Sequence, residues 1–141
     1  MKIYLAARHS RFPELQGYAA RLESLGHKIT SRWIRGEHQA LDAELLDPAH
    51  RTQAREFLAD DMGNPTSADA IVAFTETQRT PTRGGRHVEF GIAIGAGKRL
   101  FVVGPLENQF YVKAKDTQFD DFYAWFARLG SAYHRQTIAG S

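Results

Sequence analysis

The sequence predicts an α/β domain built on a mostly parallel sheet. Three observations carry that prediction. Short apolar runs of strand character alternate with segments whose apolar residues recur at helical spacing. The links between them are short and place glycine, serine or proline where an element should start or stop. The first such unit runs strand, helix, strand, and short links in that order require the two strands to be parallel.

Lys2–Ala7 is the first strand, short and apolar. Phe12–Leu25 is a helix, with Leu15, Tyr18, Ala19, Leu22 and Leu25 at helical spacing. Ser10 suits its N-cap, Pro13 its first turn, and Gly26 stops it. His27–Ile34 is the second strand. Gly36–Pro48 is polar, a loop with a helical turn at Ala40–Leu46, and His50–Met62 is a helix broken by Gly63-Asn64-Pro65. Ala70–Thr75 is the third strand, Val88–Gly97 a helix rich in small residues, and Arg99–Gly104 the fourth strand. Asp120–Leu129 is a last helix with Phe122, Phe126 and Leu129 facing inward, and Ala132–Ser141 carries little pattern. A fifth strand falls near Phe110–Val112 or later.

At 141 residues the chain is long enough for one domain, 1–141, with its own core. Hydrophobic residues make up 43% and charged residues 24%, the balance of a globular protein. No apolar run reaches membrane-spanning length, and the start, Met1-Lys2-Ile3-Tyr4-Leu5, is a strand rather than a leader. The chain has no cysteine, which removes disulfides and thiolate chemistry and agrees with a cytoplasmic protein. The net charge of +2 is small and no recognition-helix motif occurs, so nucleic acid is not the expected partner.

The most informative stretch is Arg83-Gly84-Gly85-Arg86-His87-Val88-Glu89-Phe90-Gly91. It delivers one carboxylate, Glu89, to the opening of a helix at the carboxyl edge of the sheet, where open α/β sheets bind small ligands. A helix start favours an anion by about 0.3–1 kcal/mol, enough to hold Glu89 charged but not to make it a strong base. That suits attack on an electron-poor carbon, although the same residue could simply complement the helix dipole. Asp60 and Asp61 end the preceding helix, where a negative charge is locally unfavourable, as happens at functional sites. Tyr4, in the central strand, needs a partner for its hydroxyl and could orient a carboxylate. Arginines pair up as Arg8 with Arg11, Arg32 with Arg35 and Arg83 with Arg86; each pair is either a solvated basic face or a fork for phosphate. His87 and Glu89 do not share a helix face and no third ligand stands out, so no metal site is expected. Gly84 and Gly85 fit neither the P-loop nor the dinucleotide fingerprint.

In order along the chain, Lys2-Ile3-Tyr4-Leu5-Ala6-Ala7, Asp61 ahead of Ala68-Asp69-Ala70-Ile71-Val72, Gly85 to Gly91, and Val102-Val103-Gly104-Pro105 followed by Glu107-Asn108 resemble the nucleoside 2-deoxyribosyltransferase-like family. That family includes deoxynucleoside 5′-monophosphate N-glycosidases. The resemblance implies a flavodoxin-like, Rossmann-like three-layer fold with about five strands and an N-glycosidase of nucleoside 5′-monophosphates. It implies Glu89 as the nucleophile at the anomeric carbon, Tyr4 as the residue orienting it, and Asp61 as the acid assisting the leaving base. It places Asn108 where a neighbouring subunit completes the pocket, hence a homo-oligomer, and it requires neither metal nor organic cofactor. Nucleoside-preferring transferases carry an acid where this chain has Arg83, which points to a 5′-phosphate on the substrate. The loop Arg8-His9-Ser10-Arg11 supports that reading, although it is not glycine-rich. Gly85 belongs to the substrate-binding turn, while Arg86 and His87 stand where small or apolar residues are common, so they either narrow the substrate or block catalysis. Base exchange, as in a deoxyribosyltransferase, and a non-catalytic nucleotide-binding module are the alternatives.

Overall fold

The structure, a computed structural model, describes residues 1–35, 65–76 and 85–129. The expected elements at Gly36–Pro48 and His50–Met62, and the stretch Ala132–Ser141, lie outside the described residues. The strands are β1 (Lys2–Ala6), β2 (Lys28–Ile29), β3 (Ala70–Phe74), β4 (Arg99–Val103) and β5 (Gln118–Phe119). Among the described residues the helices are α1 (Phe12–Ser24), α2 (Gly85–Gly95) and α3 (residues 122–129), and residues 65–67 are also helical. The five strands run in the order β2-β1-β3-β4-β5 and every pair is parallel, which is the flavodoxin-like order.

Alternation along the strands divides the core in two. Ile3 and Leu5 of β1, Ala70, Val72 and Phe74 of β3, and Phe101 and Val103 of β4 pack on one face with Leu15 and Leu22 of α1 and Phe122 and Trp125 of α3. Tyr4 and Ala6, Ile71 and Ala73, and Val102 pack on the other with Phe90 and Ala93 of α2 and with Tyr111. β3 is buried along its whole length, as expected of a central parallel strand. The two layers of helix on one sheet make the three-layer arrangement.

Two strands differ from the sequence expectation. The second strand stops at Ile29, and Arg32–Arg35 forms a 3-10 turn. Side chains replace its ladder there. The Leu5 amide donates to Ser31 Oγ, and the Trp33 indole donates to the Leu5 carbonyl at 2.9 Å. The Phe110–Val112 stretch also lies in a 3-10 segment, Gln109–Thr117, and the fifth strand follows it at Gln118–Phe119. Ser10 does not cap α1: it sits in a 3-10 turn, His9–Arg11, and Arg11 occupies the N-cap without a side-chain cap bond.

The two longest helices among the described residues, α1 and α2, end on a left-handed glycine. In α1 the Gly26 amide bonds Glu23 and the His27 amide bonds Leu22; in α2 Gly97 bonds Ile94 and Lys98 bonds Ala93. These are Schellman closures, with φ of 90° at Gly26 and 69° at Gly97. Gly104, just beyond β4, is more constrained. Its φ is 118°, and a Cβ would stand 2.6 Å from Thr75 Oγ1 and 2.9 Å from the Thr75 carbonyl oxygen. A side chain at Gly97 meets nothing within 4 Å, so only the backbone conformation opposes it. Gly97→Ala should therefore cost about 1 kcal/mol, from φ alone. Gly104→Ala should cost more, about 2–3 kcal/mol, because the backbones of β3 and β4 must also separate. Urea unfolding of the two variants checks this order, and equal losses would contradict the close approach at Thr75.

Candidate active site

The strand order reverses between β1 and β3, so the crevice beyond their carboxyl ends is the expected ligand site. Arg8, His9, Ser10 and Arg11 follow β1 there; Thr75 and Glu76 follow β3; α2 starts beside them, and Gly104 to Asn108 follow β4. The described part of the crevice is thus built from four separate stretches of chain.

Arg11 ties the first two together. Its guanidinium grips Glu14 with Nε and Nη2 at 2.9 and 2.7 Å, and its Nη1 lies 3.5 Å from both the Thr75 carbonyl oxygen and Glu76 Oε1. The bond from Arg11 holds the Glu14 carboxyl below its ordinary range. Tyr18 also donates to Glu14, at 2.7 Å, and burial with that bond pushes its phenol up to about 12. Arg11 is therefore largely committed to carboxylates. Arg8 is different: it is half-buried, and its Nε is shielded from solvent without an acceptor. His9 lies against Phe12 and, edge-on, Trp33; Ser10 is exposed.

A second network joins α2 to the segment after β4. Arg86 is 5% exposed and its Nη2 donates to Glu107 Oε1 at 2.6 Å, the same oxygen that takes the Glu76 amide at 3.3 Å. Next to it His87 Nε2 lies 3.7 Å from Glu107 Oε2, and His87 Nδ1 is 2.6 Å from the Tyr111 hydroxyl. The His87 ring and the Tyr111 hydroxyl thus share one short hydrogen bond, with the Glu107 carboxylate on the far side of the ring. Phe90 stacks on Tyr111 with ring centroids 4.4 Å apart. Burial first, and then the charge of neighbouring Arg86, lower the His87 pKa, against a raising effect from Glu107. Burial, with Glu107 and Glu89, raises that of Tyr111 strongly. The imidazole is neutral and the phenol protonated at neutral pH.

Glu89 is half-buried on the same side of α2 as Arg86 and Ala93, one position from Phe90. Its charge reaches Tyr111. α2 begins at Gly85 rather than Val88, so Glu89 is its fifth residue and no acid lies in the first turn. The helix end therefore contributes less to Glu89 than the sequence suggests, because that effect fades within the first turn. Tyr4 is 1% exposed in the cluster that also holds Phe90 and Tyr111, so it lies under the same face of the sheet as α2. Gly85 is the first residue of α2. Asn108 caps the 3-10 segment, its Oδ1 taking the Phe110 amide at 2.9 Å. Asp61 and Arg83 lie outside the described residues. Among the described residues no His, Asp and Glu group is arranged to hold a metal ion.

Sequence reasoning assigns no role to Glu107, Tyr111, Glu14 or Thr75. Glu107 carries a signal, an acid just beyond a strand at the ligand edge, but its partners lie far off in sequence. The arrangement supplies one half-buried carboxylate beside a donor network, with an arginine nearby whose Nε has no acceptor. That is equipment for binding an anionic ligand and stabilising positive charge at carbon.

His87 and His27 share a depressed pKa. In His27 burial comes first, followed by the N-terminal amine, which lies 3.2 Å from its Nδ1. For each, the unfolded chain takes up a proton near the ordinary value of 6.5 while the folded chain resists it. Their stabilisation is complete above 6.5 and is lost as pH falls through that value toward the folded one. Stability to urea should thus fall between about pH 7.5 and pH 5.5, above the range where Glu14 titrates. The fall should shrink in a His27→Phe, His87→Phe double variant, and an unchanged fall would exclude these two residues as its source.

No family model matches this chain, and neither does any curated protein. Solved structures do match. The CMP N-glycosidase BcmB of Clostridium botulinum superposes with a TM-score of 0.54 at 18% identity, over 92% of this chain and 98% of that one. No helix among the described residues is long and apolar enough to cross a membrane. The five-stranded parallel domain described above is the fold this chain shares with a CMP N-glycosidase, across nearly the whole of both chains.

Proposed function

We propose that this chain is a member of the nucleoside 2-deoxyribosyltransferase-like family and hydrolyses the N-glycosidic bond of nucleoside 5′-monophosphates. The observation that carries the reading is the placement of Glu89. It is a half-buried carboxylate beside Tyr111, on a helix packed over the sheet face that holds Tyr4, at the strand-order reversal of a fold shared with a CMP N-glycosidase. In this reading a Glu89 oxygen attacks C1′ of the sugar from the side opposite the base. The C1′–N bond breaks, its electron pair leaves with the base, and Asp61 supplies the proton. Water then attacks C1′, giving its proton to Asp61 and releasing Glu89 as the carboxylate, to leave sugar 5-phosphate. The transition state carries positive charge on the ring, and an anion held beneath it stabilises that charge. Arg8 is the better candidate for the phosphate, since Arg11 already serves Glu14 and Glu76. Arg83 would join it.

Purified protein incubated with CMP, dCMP and other natural and modified nucleoside monophosphates should release free base and sugar phosphate, read by chromatography. Glu89→Gln should lower that release about a thousand-fold or more while changing the nucleotide Kd only a few-fold. Base exchange that needs a free acceptor base, without net release, would make the protein a transferase. Tight nucleotide binding with no release by the wild type would overturn the enzymatic reading.

We propose further that a second copy of the chain completes the site. Val88, Phe110 and Val112 are 57%, 63% and 50% exposed, flanking the His87–Tyr111 contact and the Asn108 cap with apolar surface. Light scattering should find a homo-oligomer that Phe110→Glu dissociates. A monomer at all working concentrations would overturn this part.

A further inference from the structure

The carboxyl edge of the sheet carries more acid than the proposed reaction uses. Glu14, Glu76 and Glu107 lie there as well as Glu89. Glu14 takes the Arg11 guanidinium on both oxygens and the Tyr18 hydroxyl on one. Glu107 takes Arg86 and the Glu76 amide on Oε1, and its Oε2 is sealed from solvent. Glu76 is different. It stands just beyond β3, where the strand order reverses, and its side chain is 19% exposed. Its Oε1 meets Arg11 Nη1 only at 3.5 Å, while the same guanidinium reaches Glu14 at 2.7 and 2.9 Å. A contact that long on a partly exposed pair contributes little. Glu76 Oε2 accepts no hydrogen bond among the described residues and, unlike Glu107 Oε2, is not shut off from solvent. A ligand in the crevice can therefore reach it.

The backbone beneath that carboxylate is fixed. The Thr75 amide donates to the Val103 carbonyl at 3.0 Å, the Thr75 hydroxyl to the Pro105 carbonyl, and the Glu76 amide to Glu107 Oε1 at 3.3 Å. The same Glu107 oxygen takes Arg86, one turn ahead of Glu89 on the same side of α2. Glu76 and the turn that carries Glu89 thus hang from one oxygen. Charge then decides which part of a nucleotide Glu76 meets. A carboxylate repels phosphate and accepts from hydroxyl or amino donors. In a sugar whose C1′ lies over Glu89, the nearest donor is the hydroxyl on the neighbouring carbon, C2′. A hydroxyl bonded to a carboxylate makes a short, charge-assisted contact. Carboxylates at the ligand edge of dinucleotide-binding sheets hold ribose hydroxyls in this way.

We propose that Glu76 is a specificity-determining residue of the candidate site: it accepts the 2′-hydroxyl of the bound sugar, so the site takes ribonucleotides in preference to 2′-deoxyribonucleotides. This inference rests on the nucleoside monophosphate reading above, and its test needs no turnover, so the two can fail separately. Glu76 has no part in breaking the bond at C1′.

The probes are ribose 5-phosphate and 2-deoxyribose 5-phosphate, which have no base to lose and none to supply a competing donor. Each is titrated into the intact protein and binding is read from NMR shifts. The wild type should bind the ribose form at least about ten-fold more tightly. Glu76→Ala should bring the two affinities within about two-fold of each other, and Arg11 stays held by Glu14 in that variant. Glu76→Gln, which keeps the shape and loses the charge, should cut the preference by at least about three-fold and serves if the alanine variant does not fold. A merely structural residue would weaken both sugars alike. That result would overturn the proposal, as would equal affinities in the wild type, a preference that survives both variants, or no binding of either sugar at several millimolar. A sugar preference that depends on Glu76 in a protein that releases no base from any nucleotide would sustain this proposal and sink the glycosidase.

Discussion

The two-residue alternation of β1, β3 and β4 is the constraint on which the rest of the molecule rests. β3 throughout, β1 from Ile3 and β4 from Phe101 are buried on both sides, so each successive side chain there must enter one core or the other. A slip of one residue in β1 would send Tyr4 to the α1 face and Ile3 to the α2 face. The register Tyr4↔Ile71, next to Leu5↔Val72, prevents this by matching the same alternation in β3. The geometry of the candidate site therefore begins with ordinary apolar packing. Tyr4 shares a face with α2 because Ile3 and Leu5 cannot.

Above that sheet, Glu107 holds three pieces of chain together. It takes the Arg86 guanidinium and the Glu76 amide on one oxygen, and its other oxygen faces the His87 ring. The start of α2, the end of β3 and the segment after β4 are thus fixed relative to one another. Glu89, one turn further along α2, inherits its position from that network. Arg86 and His87 thereby serve the architecture. Arg86 is buried against Glu107, and His87, partly exposed, contacts Tyr111.

Much of this is legible in the sequence, for identifiable reasons. β1, β3, β4 and α1 each satisfy a local pattern of apolar period or glycine stop, and those patterns name their own elements. The strand pattern of the sequence overruns β2 because Ser31 and Trp33 complete the edge of β1 through side chains, a substitution invisible to strand propensity. β5 is only two residues long and follows a 3-10 segment, too short to leave a period. α2 begins earlier than its apolar repeat because Gly85 and Arg86 are helical, and Arg86 is buried against a partner 21 residues away. Glu89 and Tyr4 can be singled out from position alone. The Arg86, Glu107, His87 and Tyr111 network cannot, because every link in it is a tertiary contact.

The outermost strands described, β2 and β5, each pair with their neighbour through only two residues. Beyond Ile29, the amide and carbonyl of Leu5 are taken by Ser31 and Trp33 rather than by more strand. On the far side, Gln118 folds its amide back onto the Gly104 carbonyl. A sheet trimmed in this way offers little template for the strand-on-strand growth that turns exposed sheet borders into fibrils. Among the described residues, the fully apolar β3 is thus kept in the middle of the sheet, away from either border.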